Sequence, residues 1–410
     1  MLEVVETGEK LLKDYSPIVG EEEIESIKKL ALPLQGKKIV HINDSSLGGG
    51  VAEILSALVP LMKDVGLKAE WQVIKGSEDF FEANSVILNG LQGMDVPFTR
   101  EVKEIFLKYN QLSEELLEGE YDFVIIHELP PLALLNYRKR KVGKWIWWLY
   151  NDPTNAQEKV WKFIRPLIEK YDAAVFTLKE YVKNDLKLKK IAIIPPAIDP
   201  LSPKNMELSQ EEIEKIVNRY GVDTHRPIIT QVSKLSPWKD PLGVIDMYRL
   251  VKKEIKEVQL VLITFMASDD PEGWEYYEKT ARHAGEDYDI HLLSNLNGVG
   301  NLEVNAFQRA SDVIIQKSIR EGFGLAITEA LWKGKPVVAA NVGGIPLQVD
   351  NRHTGYLVGD IAECAERVIY FLKNPEAAKK MGSAGKEYVR KNFLITRLLK
   401  DYLELFHSLV

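Results

Sequence analysis

Cysteine is nearly absent from this chain. The single Cys364 excludes an intramolecular disulfide and any cysteine-rich metal centre. Histidine is scarce as well. The seven residues His41, His127, His225, His283, His291, His353 and His407 are scattered, with no HxxxH pair, so ligand spacing calls for no metal. No window approaches the ~20 apolar residues that a membrane span needs. The N-terminus, MLEVVETGEKLLKDY, has no apolar core of signal-peptide length. A cytoplasmic protein without a membrane partner is expected. Positive charge is not in excess either. A formal net charge of −7 argues against a broad nucleic-acid surface, and any anionic ligand must be met by local lysines and backbone amides.

What is present is ordinary globular material, 45% apolar and 28% charged. With 410 residues the chain is too long for one core, so two domains are expected. Short apolar runs recur along it at 37–43, 69–74, 121–128, 144–150, 173–178 and 191–198, then at 226–234, 258–265, 289–295, 312–318, 335–340 and 355–358. Their Val/Ile/Leu content predicts strands buried on both faces of a parallel sheet. Helical patterns lie between them. Val51, Ile54, Leu55, Leu58, Val59, Met62 and Val65 form one apolar helix face. This alternation predicts a doubly wound α/β architecture, present twice. PPAIDPLSPKNMELSQEE (195–212), with four prolines and a polar continuation, reads as the linker. The expected domains are 1–200 and 201–391, with a C-terminal helix over 392–410 able to pack back on the first.

Open α/β sheets bind ligands in the loops beyond the carboxyl ends of their strands. Six such loops carry chemistry-bearing residues. NDSSLGGGVAEIL (43–55) places Gly48, Gly49 and Gly50 at a helix start, where bare backbone can approach an anion; Asp44 precedes them. A plain tight turn explains the same glycines. IIHELPP (125–131) ends a strand on His127 and Glu128, which puts the histidine at the mouth of a cleft. A structural histidine is the commoner case. LYNDPTN (149–155) offers Asn151 and Asp152, suited to sugar hydroxyls or equally to an Asx-capped turn. QVSKLSPWKDP (231–241) sets Lys234 and Lys239 on one loop, a diphosphate site or a solvated surface.

EGFGLAITEA (321–330) is the most informative stretch. Gly322 and Gly324 open a helix beginning at Leu325, with Phe323 between them and Glu321 and Glu329 on either side. Eight helical residues span about 12 Å. That is too far for glycosidase carboxylates, which stand ~5 Å or ~6.5–9.5 Å apart. The two glutamates should reach different parts of one long ligand, such as a diphosphate bearing a sugar and a ribose. Ordinary helix-start glutamates are the plain alternative. NVGGIPLQVDNRHTGYLV (341–358) adds Gly343 and Gly344 after another strand.

Together these motifs resemble the family 4 retaining glycosyltransferases. EGFGLAITE fits that family's E-x7-E motif, GGIP…TGYLV the segment after it, and MGSAGKEYVRKNF its ending. HINDSSLGGGVAEIL, NGLQG (89–93) and VNAFQRASDVIIQKSIREGFGLAITEALWKGKPV are similar to the subgroup of glycosyltransferring trehalose synthases and related trehalose phosphorylases. The resemblance covers nearly the whole chain. It implies the GT-B fold of two facing Rossmann-like domains, the first binding acceptor and the second a nucleotide-sugar donor.

By that resemblance Glu321 would bond the transferred glucose, Glu329 the ribose, and Lys239 the diphosphate. Lys234 stands where the family often has arginine. It keeps the charge and gives up the bidentate fork. Gly49 and Gly50 would approach the donor, with Gly322, Phe323, Gly324 and Leu325 completing its site. His127 would stand near the reacting sugar, with Glu128, Asn151, Asp152 and Asp44 toward the acceptor. Glu128 replaces the aspartate that the subgroup favours after this histidine.

The expected reaction moves glucose from a nucleoside-diphosphate glucose to free glucose, reversibly, giving trehalose with retention. No second carboxylate is placed by sequence as a nucleophile. A front-face substitution is therefore favoured, in which the leaving diphosphate helps deprotonate the acceptor. Closure over the ligands should exclude water. No cofactor beyond the donor is required, and a divalent metal is not indicated. Trehalose phosphorylase, a transferase with another acceptor, and a non-catalytic nucleotide-sugar sensor are the rival readings. Two glutamates and a lysine pair are more than a sensor needs. Base preference, metal dependence, direction and oligomeric state, a homodimer included, are left open.

Overall fold

The computed structural model describes residues 2–266 and 271–410. One compact unit comprises Met1–Ala197 with Ile395–Val410, and the other Ile198–Leu394. Each carries one sheet.

The first sheet holds β1 (Glu3–Val4), β2 (Lys38–Asn43), β3 (Lys68–Val73), β4 (Phe123–His127), β5 (Lys144–Leu149), β6 (Ala173–Phe176) and β7 (Lys190–Ile193). Their spatial order is β1-β3-β2-β4-β5-β6-β7, and every pairing is parallel except β1 with β3. The second holds β8 (Ile228–Val232), β9 (Gln259–Thr264), β10 (Ile290–Ser294), β11 (Val313–Gln316), β12 (Val337–Ala340) and β13 (Tyr356–Val358). Its order is β10-β9-β8-β11-β12-β13, parallel throughout. All twelve apolar runs thus carry strands. β4, β6, β9, β11 and β12 are buried along their whole length, the burial that continuous apolar runs demand.

The helix Gly50–Asp64 lays Ile54, Leu55, Leu58, Val59 and Met62 into the first core. The C-terminal helix Ile395–His407 belongs to the same unit. Its Phe406 stacks on Phe123 at 4.2 Å and its Tyr402 on Trp148 at 4.6 Å. Lys400 pairs with Glu23 at 3.0 Å, and His407 Nε2 lies 2.7 Å from the Leu30 carbonyl. From Ile198 onward, the segment read as a linker belongs to the second unit. Asn205 is buried, and the helix Gln210–Asn218 starts in a full capping box of Ser209 and Glu212.

In each sheet the strand order turns back on itself once. The chain leaves β2 toward β3 but resumes at β4 on the other side; it leaves β8 toward β9 and resumes at β11. The diverging connections open a crevice at the carboxyl ends of β2 and β4, and another at those of β8 and β11.

Candidate active site

The second crevice gathers the predicted donor residues. β8 leads through Ser233 and the exposed Lys234 into a single helical turn, Pro237–Lys239. Asp240 follows with φ 48° and caps the helix Pro241–Glu254 by accepting from the Gly243 amide at 3.1 Å. β11 leads into Lys317, Ser318 and Glu321. Gln231 straps the two loops together: its Oε1 accepts from the Lys317 amide at 3.1 Å and its Nε2 donates to the Lys239 carbonyl at 3.1 Å. The Ile319 amide donates to the Trp238 carbonyl at 2.8 Å. Lys317 Nζ reaches Asp240 at 2.9 Å.

Glu321 is the focus of this cluster and only 7% exposed. Its Oε2 receives Lys239 Nζ at 2.6 Å, Ser318 Oγ at 3.0 Å and Gln316 Nε2 at 3.3 Å. Three donors on one carboxylate oxygen hold the side chain in one place. The helix Leu325–Trp332 begins just beyond, behind Gly324 with φ 92°. Gly344 closes the loop from the other side. Its amide donates to the Glu321 carbonyl at 3.1 Å, and a Cβ there would stand 2.4 Å from the Gly322 oxygen. Phe323 turns inward, edge-on to Phe393 at 5.5 Å, so only its backbone belongs to the loop surface.

Glu329 is sealed more deeply, at 1% exposure. Lys204 Nζ lies 3.1 Å from one oxygen and Gln308 Nε2 3.4 Å from the other. The sequence reading missed Lys204 because it stood in the stretch taken for a linker. Its charge in an otherwise proline-broken segment was the only available signal.

The first crevice holds the glycine loop and the predicted acceptor residues. Asn43 ends β2, buried, with its Oδ1 accepting from Trp71 Nε1 at 2.6 Å and its Nδ2 donating to the Ser45 carbonyl at 2.6 Å. Gly48 and Gly49 both take positive φ, 69° and 79°, and deliver the chain into the helix at Gly50. Across from them Glu128 adopts φ 64°, unusual for a side chain with a Cβ. Its Oε1 accepts from the Tyr150 amide and its Oε2 from Asn151 Nδ2, both at 2.8 Å. Burial pushes this carboxyl up to about 7; those two bonds pull it down and Asp44 pushes it further up.

His127 does not stand at an open mouth. It is the last residue of β4, but its side chain is 0% exposed, with His41 at 3.0 Å on one ring nitrogen and Tyr150 at 3.0 Å on the other. The reason is the face it occupies, the one carrying the C-terminal helix and the helix Gly50–Asp64. Asp152 is committed locally: its Oδ1 accepts from the Thr154 amide at 2.9 Å and from its hydroxyl at 2.6 Å. This is the Asx turn that the sequence also allowed.

Glu321 and Lys239 are therefore joined, Glu128 and Asn151 are joined, and Glu329 pairs with a lysine not foreseen. Among the described residues no cluster of three or more His, Cys, Asp or Glu side chains could hold a metal, and no helix is long and apolar enough to cross a membrane.

Two doubly wound sheets with their polar loops at the strand-order reversals are the GT-B architecture of glycosyltransferases. The solved sucrose-phosphate synthase of Thermosynechococcus elongatus matches 91% of this chain and all of its own at a TM-score of 0.71, with 16% identity. The family model of the trehalose synthase N-terminal domain matches residues 41–183, and that of glycosyl transferases group 1 matches residues 212–388. The trehalose synthase of Pyrococcus horikoshii is 49% identical, covering 100% of this chain and 99% of its own; that of Rubrobacter xylanophilus is 48% identical, covering 100% of both. The chain belongs to the trehalose synthase family of group 1 glycosyltransferases.

Proposed function

We propose that the protein transfers glucose from a nucleoside-diphosphate glucose to free glucose, forming trehalose with retention at the donor carbon. Full-length similarity to trehalose synthases supports the product. The single observation that carries the donor chemistry is the Lys239–Glu321 pair at 2.6 Å beside the start of the helix Leu325–Trp332.

In this reading the second unit holds the donor. Lys239, with Lys234 nearby, offers charge to the diphosphate. Amides behind Gly322 and Gly324 add partial positive charge at the helix start. Both would stabilise charge that grows as the glycosidic bond breaks. Glu321, fixed by Ser318 and Gln316, accepts hydroxyl hydrogens of the transferred glucose. Glu329, from the far end of the motif, takes the ribose once Lys204 shares it. The first unit holds the acceptor, with Glu128 and Asn151 as its polar contacts and Asp44 and Asp152 at its edge. His127 acts from behind them. The leaving diphosphate oxygen takes the acceptor proton, and the new bond forms on the same face.

Carbohydrate NMR of products, after incubation with several nucleotide-glucose donors and glucose, tests the proposal. An α,α-linked disaccharide and free nucleoside diphosphate are expected. Turnover of trehalose with inorganic phosphate, but not with nucleoside diphosphate, would replace it with a phosphorylase.

A further inference from the structure

Behind the first crevice runs a row of side chains in series. His41 lies on β2, Met62 on the helix Gly50–Asp64, His127 at the end of β4 and Tyr150 just past β5. His41, Met62 and His127 are each 0% exposed; Tyr150 is half-buried. His41 Nε2 stands 3.4 Å from Met62 Sδ, His41 Nδ1 3.0 Å from His127 Nε2, and His127 Nδ1 3.0 Å from the Tyr150 hydroxyl.

Each neutral imidazole has one N–H and one bare nitrogen. Both rings are neutral here: burial lowers His41 to about 3, and burial with the neighbouring ring lowers His127 well below its usual range. A thioether sulfur carries no proton and can only accept. A bare Nε2 against it would set lone pair against lone pair. The proton of His41 therefore sits on Nε2, and its Nδ1 must receive. His127 must supply that bond from its own Nε2, which leaves its Nδ1 bare. The Tyr150 hydroxyl then donates to that Nδ1. The reverse polarity loses the bond to sulfur.

We propose that Met62, acting through His41, fixes the proton of His127 on Nε2, so that Tyr150 commits its hydroxyl hydrogen to His127 and keeps only acceptor lone pairs for any other partner. The Glu128 carboxylate, bonded to the Tyr150 amide at 2.8 Å, also only accepts when ionised. An acceptor-only pair selects a ligand rich in hydroxyl donors, as a sugar is. Met62 and His41 are positioning residues, and Tyr150 is the specificity-determining one. The identity of the ligand rests on the acceptor-glucose reading; the placement of the protons does not.

Long-range nitrogen–proton correlation spectra of histidine-labelled protein read the tautomers directly, with His41→Asn and His127→Asn for assignment. The expected wild-type spectrum has both rings protonated on Nε2. Met62→Leu, which keeps the volume, should introduce the other tautomer at His41 and His127, whereas Tyr150→Phe should leave both as they were. Met62→Leu and Tyr150→Phe should each raise the KM for glucose by about three- to tenfold, the loss of one neutral hydrogen bond, with the donor KM held. A wild-type His127 protonated on Nδ1, or unchanged tautomers in folded Met62→Leu, overturns the proposal. Should Met62→Leu fail to fold, the wild-type spectrum alone decides. Expected tautomers in a protein that forms no sugar product would uphold the proton placement and overturn the acceptor reading instead.

Discussion

Lys204 holds the Glu329 carboxylate at 3.1 Å, in a place where that side chain is 1% exposed. The two residues come from the segment before the helix Gln210–Asn218 and from the middle of the helix Leu325–Trp332. Each is unaffordable alone: an ion taken out of water needs its partner. Lys204→Met should cost about 3–5 kcal/mol of unfolding free energy, since it strands a buried carboxylate. Adding Glu329→Gln should recover a large share, because a neutral amide no longer needs the ammonium. Urea unfolding of the two single variants and the double variant checks this. A loss of less than about 1 kcal/mol in Lys204→Met would mean that water already reaches the carboxylate.

That pair also marks how far the sequence could be read. The strands were legible because a strand buried on both faces must be apolar along its length, as β4 and β9 are. β1 was not, being two exposed residues at an edge with no pattern to show. Glu321 and Lys239 announced themselves through glycines and charge on loops that follow strands. Lys204 did not, because only the folded chain carries it to Glu329. The same holds for His127. Its place at a strand end was legible, but its enclosure depends on His41 and on a C-terminal helix distant in sequence.

Gly344 should tolerate no side chain. A Cβ would meet the Gly322 oxygen at 2.4 Å and Phe323 Cα at 2.9 Å, and neither backbone atom can rotate away. Gly344→Ala must move the loop that carries Glu321. A stability loss of about 1–3 kcal/mol is expected. The KM for the nucleotide-sugar donor should rise while that for glucose holds. Thermal melts and initial rates measure the two effects, and unchanged donor kinetics would show that the loop does not shape the donor site.

Lys239→Ala and Glu321→Gln should each lower kcat by ~10²–10³, the usual cost of removing one preorganised charge or donor from a transition state. The folded protein should survive in both cases, since Ser318 and Gln316 still satisfy the position 321 side chain. Circular dichroism and initial rates with saturating donor decide it. Turnover near that of the wild type in either variant would remove the pair from the chemistry.

Glu128 sets the expected pH dependence. Burial raises its carboxyl from an ordinary 4.5 to about 7. Between those values the folded chain keeps a proton that the unfolded chain has released. The stabilisation is complete below the lower value and is lost as pH rises through the upper one. Glu128→Gln cannot titrate. Wild-type stability measured against this variant should therefore fall from pH 4.5 to about 7 and then level off. Acceptor binding should run the opposite way, because only the ionised carboxylate accepts from sugar hydroxyls with both oxygens. The KM for glucose should drop as pH passes about 7 in the wild type and stay flat in Glu128→Gln. Opposed trends in stability and affinity, both erased by one substitution, would tie them to this carboxyl. A wild-type glucose KM that does not change across neutral pH would detach Glu128 from the acceptor.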